Sequence, residues 1–373
     1  MKKIIGLLSI TLTLIAIGCS SDDGGTTPPE EEINFDRAPL LINWADNIII
    51  PGYVDFSDHV SSLSQSVSAF NNTPTVDNLN ALRTSWLEAY TTWQRISMFE
   101  SGPAEVVGLR LNVNIYPTNV GLIEDNIASG SYNLDLPSNR AAKGFPALDY
   151  LLYGLGDNEE AIVAKYVNNE GEVYRNYLVA LVNDMESLTN QVKNEWQNGY
   201  RDTFVANAGS SATASVDKLV NDYIFYFEKH LRAGKMGIPL GVFSGNVLPE
   251  NIEAVYNGAI SKQLFIEGLN AFQDFFNGKS YTTGLEGASL KTYLNALNTV
   301  KDGTNLSVVL NNQINTARSS VQGLQSFKLE LENIPPTQML LAYDEVQKIV
   351  PLLKVDMVSA MSISIDFVDA DGD

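Results

Sequence analysis

TVDNLNALRTSWLEAYTTWQRI, residues 75–96, decides the fold class. Its apolar positions Leu79, Leu82, Trp86, Ala89, Trp93 and Ile96 are spaced 3, 4, 3, 4 and 3 apart. That spacing sets one face of an α-helix against a core and is incompatible with the alternation of a strand. Asn71-Asn72-Thr73-Pro74 precedes it, and Thr75 is the expected N-cap, because its hydroxyl can accept one of the free amide N–H groups of the first turn. Two tryptophans on one stripe call for a deep core, as in a helical bundle.

Glu100 is the next position on that stripe. A carboxylate there is either paired, protonated or facing a cleft, or the helix has ended and it is solvated. Gly102-Pro103 directly after it favours a stop. Upstream, 37–70 is apolar-periodic with Pro51-Gly52 in the middle, where proline removes a backbone donor and a break or kink is expected. Downstream, 104–143 is irregular, rich in Asn, Gly and Pro, with a short helix expected at 119–128. Gly144–Gly154 reads as a short helix with Pro146 in its first turn, where no donor is needed, and Asp149 close behind. A long helix covers 158–196, kinked near Gly171. Residues 200–214 form a candidate linker. Helices follow at 215–233, 249–277, 286–300, 305–331 and 336–358, with a Gly-rich loop at Gly234–Gly241 that lacks the phosphate-loop pattern. No strand-rich region is visible. The expected architecture is all-α: two four-helix bundles, at 37–205 and 206–373.

Composition narrows the function. The chain has 373 residues and a formal net charge of −20. Such a chain repels nucleic acid and anionic lipid, which excludes DNA and RNA as partners. It has two histidines, His59 and His230, too few for a zinc site built on histidine clusters. Cys19 is the single cysteine, so an intramolecular disulfide is impossible. Lys2 and Lys3 precede an apolar stretch, Ile4–Ile17, that is too short for a stable spanning helix and ends in Ala16-Ile17-Gly18-Cys19. Residues 1–18 are therefore expected to be a secretion signal. The Ala-Ile-Gly-Cys sequence resembles a bacterial lipobox, which makes Cys19 the expected site of lipidation and the lipid the expected membrane anchor. Residues 19–36 are acidic and rich in Gly and Pro, as in a flexible tether. Asp22-Asp23 resembles the surface-export signal of Bacteroidetes lipoproteins. The expected location is the outer membrane, on its periplasmic face or at the cell surface.

The middle of the chain carries a constellation: Trp86-x-x-Ala89-x-x-x-Trp93, Phe99-Glu100-x-Gly102-Pro103-Ala104, Ile115-Tyr116-Pro117, Ile123-Glu124-Asp125, and Gly144-Phe145-Pro146-Ala147-Leu148-Asp149-Tyr150-Leu151-Leu152. Their order and spacing resemble the imelysin family, whose hallmark is a Gly-x-His-x-x-Glu motif followed by a Tyr-Leu-Leu-type helix. The terminus Asp371-Gly372-Asp373 is similar to that family's ending. The resemblance implies the two-bundle fold, an envelope location, a link to iron acquisition and a functional site where the bundles meet. This chain departs from the motif: Gly144 is kept, but Pro146 stands at the histidine position and Asp149 at the glutamate position. Proline offers no ligand atom, so zinc peptidase chemistry by a His-x-x-Glu pair is not expected.

Three functions remain in view. The first is a non-enzymatic binding component of iron or haem uptake. Iron accepts hard oxygen ligands, and Glu88, Glu100, Glu105, Asp125 and Asp149 offer carboxylates, while Tyr90, Tyr116, Tyr150 and Tyr153 offer phenolates. Glu100 and Asp149 are the candidate metal ligands; for haem, His59 or His230 is a candidate axial ligand, although each reads more simply as a surface or helix residue. The second is a metal-free lipoprotein that binds a peptide, a glycan or an outer-membrane receptor or transporter in the interdomain cleft, where Lys235 can neutralise an anionic group. The third, a hydrolase, has no supporting motif; paired carboxylates alone leave glycoside hydrolysis open. The candidate cleft comprises Glu100, Gly102, Pro103, Tyr116, Gly144, Pro146, Asp149 and Lys235. The acidic run Asp366, Asp369, Asp371 and Asp373 resembles the start of a calcium loop but stops short of its closing glutamate, and reads as a solvated or packed tail.

Overall fold

In the computed structural model, residues 35–366 are described. The signal segment 1–18, Cys19, most of the tether, and Asp369, Asp371 and Asp373 lie outside the described residues. The described part is all-α apart from one two-stranded hairpin. No helix in it is long and apolar enough to cross a membrane.

The helix expected at 75–96 runs Val76–Ile96, and the Thr75 hydroxyl accepts from the Asn78 amide at 3.3 Å. All six residues of its stripe are buried, with Trp86 fully enclosed. It packs against Ile50–Asn72, which also packs on Gly171–Glu195, giving the first helical group. Ser261–Asn277, Leu306–Gln322 and Thr337–Gln347 form the second, with Tyr226–Gly237 against them. Ser261–Asn277 also packs on Val76–Ile96, so the two groups share one seam. Phe99 and Trp44 meet Phe275 across it, with ring centroids 5.3 and 4.9 Å apart. Arg37, at the start of the described chain, reaches the second group, bonding Asp217 at 2.6 Å and the Tyr293 hydroxyl.

Several elements differ from the sequence reading, each for a local reason. Pro51 does not break its helix. Ala38–Asn72 is continuous, and Asn43–Ile49 widens into a π-helix just ahead of the proline. That wider turn lies where the proline ring and its missing N–H disturb the helical ladder. The kink expected near Gly171 is a full break between Glu159–Val167 and Gly171–Glu195; a Cβ at Gly171 would lie 2.3 Å from the Tyr166 carbonyl oxygen. The helix expected at 286–300 is only Leu290–Ala296, and Val300–Lys301 pairs with Thr304–Asn305 through a turn at Asp302 and Gly303, both with φ above zero. Asp-Gly is a strong hairpin signal of its own. Within 249–277 only Ser261–Asn277 is a continuous helix; 249–260 is irregular, with two short 3₁₀ turns. The Gly234–Gly241 loop is helical through Gly237 and turns only after it, which places Lys235 on a helix. The linker expected at 200–214 contains the helix Arg201–Ala206.

Candidate functional site

The seam between the two helical groups is polar at one place. Tyr90 and Gln94, one turn apart on Val76–Ile96, flank the tryptophan stripe, and both are buried; the Tyr90 ring meets Trp86 at 5.4 Å. The Tyr90 hydroxyl donates to Asn114 Oδ1 at 2.7 Å, and Asn114 Nδ2 donates to Glu253 Oε1 at 2.8 Å. Gln94 Nε2 donates to the same oxygen at 3.2 Å. Lys235 Nζ donates to Gln94 Oε1 at 2.8 Å and to Glu253 Oε2. Lys235 and Glu253 are 3% and 1% exposed, so this ion pair is taken wholly out of water. Burial lowers the Lys235 pKa, and Glu253 opposes that shift. Such a pair persists only because its remaining donors and acceptors are satisfied, as Gln94 and Asn114 do here.

A second clamp lies beside it. Arg110 donates through Nε to the Ser97 carbonyl at 2.8 Å and pairs with Asp222 at 3.1 Å. The Arg110 amide donates to both Glu100 carboxylate oxygens at 3.0 Å, and the Glu100 amide donates to Asp222 Oδ2 at 2.6 Å. Burial pushes the Glu100 carboxyl up to about 7 against the pull of Arg110.

Between these clamps opens a cavity of about 360 Å³, within the range of small-ligand sites. Arg110, Asn114, Tyr116, Lys229 and His230 give it polar walls, and Leu111, Ile115, Pro117 and Ile238 give it apolar ones. A small recess shares Arg110, Asn114, Tyr116 and His230 with it and continues to Gln94, Ser97, Tyr226 and Lys235. The Tyr226 side chain is 1% exposed, and its hydroxyl lies beside Ser97. Burial, with Arg110 and Lys235 near, drives the His230 pKa well below its ordinary value, which favours the neutral imidazole. Burial also raises the Tyr116 hydroxyl, with Glu253 and Tyr226 adding to it. A larger groove of about 560 Å³ runs past Arg95, Glu267, Tyr281 and Arg318, but its charged groups are tied in surface pairs such as Arg95–Glu267 and Lys279–Asp274.

Of the residues singled out in the sequence, Tyr116 and Lys235 reach this site. Glu100 flanks it through Arg110. Asp149 sits elsewhere on the seam: its carboxylate accepts the Tyr256 and Asn257 amides at 2.8 and 3.0 Å, and burial pushes it up to about 7 against those two donors. Glu100 and Asp149 therefore face separate networks and share no partner. Among the described residues, no three His, Cys, Asp or Glu side chains gather as a metal ligand set. Gly102, Pro103, Gly144 and Pro146 shape the backbone. Gly102 has φ +60°, and a Cβ there would meet the Tyr200 ring at 2.1 Å; Gly144 has φ +75°, and a Cβ there would meet the Val113 carbonyl oxygen at 2.2 Å. Pro103 opens the helix Pro103–Val107, and Pro146 is buried in Gly144–Asp149 beside Phe145, whose ring stacks on Tyr90 at 4.3 Å.

Sequence reasoning missed Gln94, Arg110, Asn114, Asp222, Tyr226 and Glu253. The Tyr90, Gln94, Ser97 row, spaced like the stripe beside it, was a usable signal. Arg110 sits in the irregular segment 104–143 and Glu253 at the start of a stretch read as helix, and neither gave one. His230, which read as a surface or helix residue, lines the cavity. His59 stays on the outer face of Ile50–Asn72, bonded to the Asp55 carbonyl at 2.9 Å.

Comparison with known proteins bears on this arrangement. Iron-regulated protein A of Synechococcus elongatus is 23% identical over 213 residues, 56% of this chain and 55% of that protein, so the chain aligns with about half of that relative. The crystal structure of an imelysin-like protein from Psychrobacter arcticum 273-4 has a TM-score of 0.68 at 18% identity, covering 89% of this chain and 97% of that one. A Parabacteroides distasonis ATCC 8503 structure named for an iron-regulated protein A precursor has a TM-score of 0.69 at 15% identity, covering 90% and 97%. At those identities the structures show a shared fold. The family model for imelysin matches residues 49–353, and on that match the chain belongs to the imelysin family.

Proposed function

We propose that this protein is a non-enzymatic binding component of iron acquisition, and that iron enters the cavity at the seam as a chelate or as haem. The cavity's composition carries the reading: the cationic side chains of Arg110 and Lys229 border it beside the apolar walls of Leu111, Ile115, Pro117 and Ile238, with the His230 imidazole and the Tyr116 phenol at the junction. An organic iron complex presents carboxylates on an apolar frame, and haem takes an axial His or Tyr ligand. Iron-regulated relatives support the iron role. Pro146 at the motif's histidine position supports binding without peptidase chemistry. Lipidation at Cys19 and delivery to an outer-membrane transporter or receptor belong to the same proposal, supported by the lipobox-like sequence.

Isothermal titration of the purified protein with ferrous iron, ferric citrate and haemin tests it. Saturable binding of one of them is expected, weakened about tenfold or more in Tyr116→Phe/His230→Gln. The same affinity in that variant, or no binding of any of the three, would overturn the reading. A second reading, a metal-free peptide, glycan or receptor site, draws on the absence of a gathered His/Cys/Asp/Glu set among the described residues. Failure of all three iron probes moves the assignment there.

A further inference from the structure

Away from the cavity, three elements bring two phenols onto one carboxylate. Glu124 comes from the helix Val120–Ser129, whose N-cap Asn119 accepts the Leu122 amide at 3.0 Å. Tyr150 opens the wide turn Tyr150–Gly154 that follows the motif helix, and Tyr174 lies on Gly171–Glu195. The Tyr150 hydroxyl donates to Glu124 Oε1 at 2.6 Å, and the Tyr174 hydroxyl donates to Glu124 Oε2 at 2.7 Å. Phenols, not a cation, hold this carboxylate. The cluster is fixed from behind: the Tyr166 hydroxyl donates to the Leu151 carbonyl at 2.8 Å, and the Tyr166 and Tyr174 rings meet edge to face at 6.2 Å. Tyr174 is buried, while Tyr150 and Glu124 stay partly open to solvent.

The geometry points to a second iron site, for the ferric ion itself, with Tyr150, Tyr174 and Glu124 as its oxygen ligands. It rests on the iron role proposed above only for the identity of the metal. Ferric iron is a hard cation that prefers anionic oxygen, and two phenolates with one carboxylate match its three positive charges. Both phenol oxygens already lie against the carboxylate, at 2.6 and 2.7 Å. On binding, each phenol O–H bond breaks and its proton goes to solvent while the oxygen forms a bond to iron. No electron is transferred. Because each phenol gives up its proton to bind iron, uptake releases two protons and weakens as the medium becomes acidic.

Ferric nitrilotriacetate added to the purified full-length protein tests this. A visible phenolate-to-iron charge-transfer band is expected, saturating at one ferric ion per chain, with two protons released in an unbuffered pH-stat titration. Tyr150→Phe and Tyr174→Phe keep the rings and remove only the ligand oxygens, and each should abolish or displace the band. Glu124→Gln should weaken ferric binding about tenfold or more. Tyr153→Phe, a neighbour that does not touch Glu124, should leave the band unchanged. Absence of the band in the wild-type protein, or its persistence in both phenol variants, overturns the site. Band loss counts only in variants that keep the wild-type near-ultraviolet circular dichroism; should they misfold, the wild-type band and proton count decide alone. Iron that binds without the band, and is lost in Tyr116→Phe/His230→Gln, refutes this site while sparing the cavity; no iron binding at all refutes both.

Discussion

Glu100 holds its proton to an unusually high pH because burial opposes its charge more than Arg110 rewards it. Asp222 and Glu105 face it as well and push the same way. The unfolded chain releases this proton near the ordinary carboxylate value of 4.5, the folded chain at about 7. Between those values the folded state binds more protons, so this carboxyl's contribution to stability is complete in acid and is lost as pH rises through about 7. Urea unfolding midpoints should therefore carry a component that falls from about pH 4.5 to about pH 7, and Glu100→Gln, which keeps an acceptor for the Arg110 amide, should remove it. An unchanged pH slope in the variant would show that Glu100 is ionised throughout. At Gly144, a left-handed backbone meets a carbonyl where a Cβ would sit. Gly144→Ala should destabilise by roughly 3 kcal/mol or more, read from the same midpoints. Lys235→Met leaves Glu253 buried without its cation and should destabilise by about 3–5 kcal/mol.

Asp149 matters at the scale of an element. It accepts the amides of Tyr256 and Asn257, while Glu253 anchors the start of the same segment through its side chain, and its carbonyl accepts from Ser261 Oγ at 2.5 Å. The irregular stretch 252–258 is thus pinned to the first helical group at two points. In Asp149→Asn one side-chain oxygen becomes a donor and can no longer accept both amides. Hydrogen exchange at Tyr256 and Asn257 should accelerate while the amides of Val76–Ile96 keep their protection; unchanged exchange would refute the pin. The same element shows where the sequence stopped being informative. Val76–Ile96 was legible because one helix face is buried and its period is written in the residues. The stretch 249–260 has helix-compatible composition, yet its backbone donors go to a carboxylate about a hundred positions earlier in the chain, a long-range contact that local periodicity does not encode. Pro51 was legible as a perturbation, but whether proline breaks a helix or widens it depends on packing around it. The hairpin at Asp302-Gly303 went unread, although its turn residues carried the signal.

For the whole molecule, the all-α fold class followed from patterning, and the seam between the helical groups did not. Tyr116 and Lys235 were found because they stood near distinctive residues; Glu253 and Arg110, which organise the site, are ordinary charged residues until the fold buries them. The proposed lipid anchor is also tested at the scale of the whole chain. Metabolic labelling with palmitate should mark the wild-type protein and not Cys19→Ala, and labelling of the variant would remove the lipid tether from the account. The central claim is that iron, as chelate or haem, sits in the cavity at the seam. Diffraction at the iron absorption edge from crystals soaked in ferric citrate or haemin tests it most directly. The account predicts an anomalous peak between Arg110, Tyr116 and His230; soaked crystals with no iron in that cavity would contradict it.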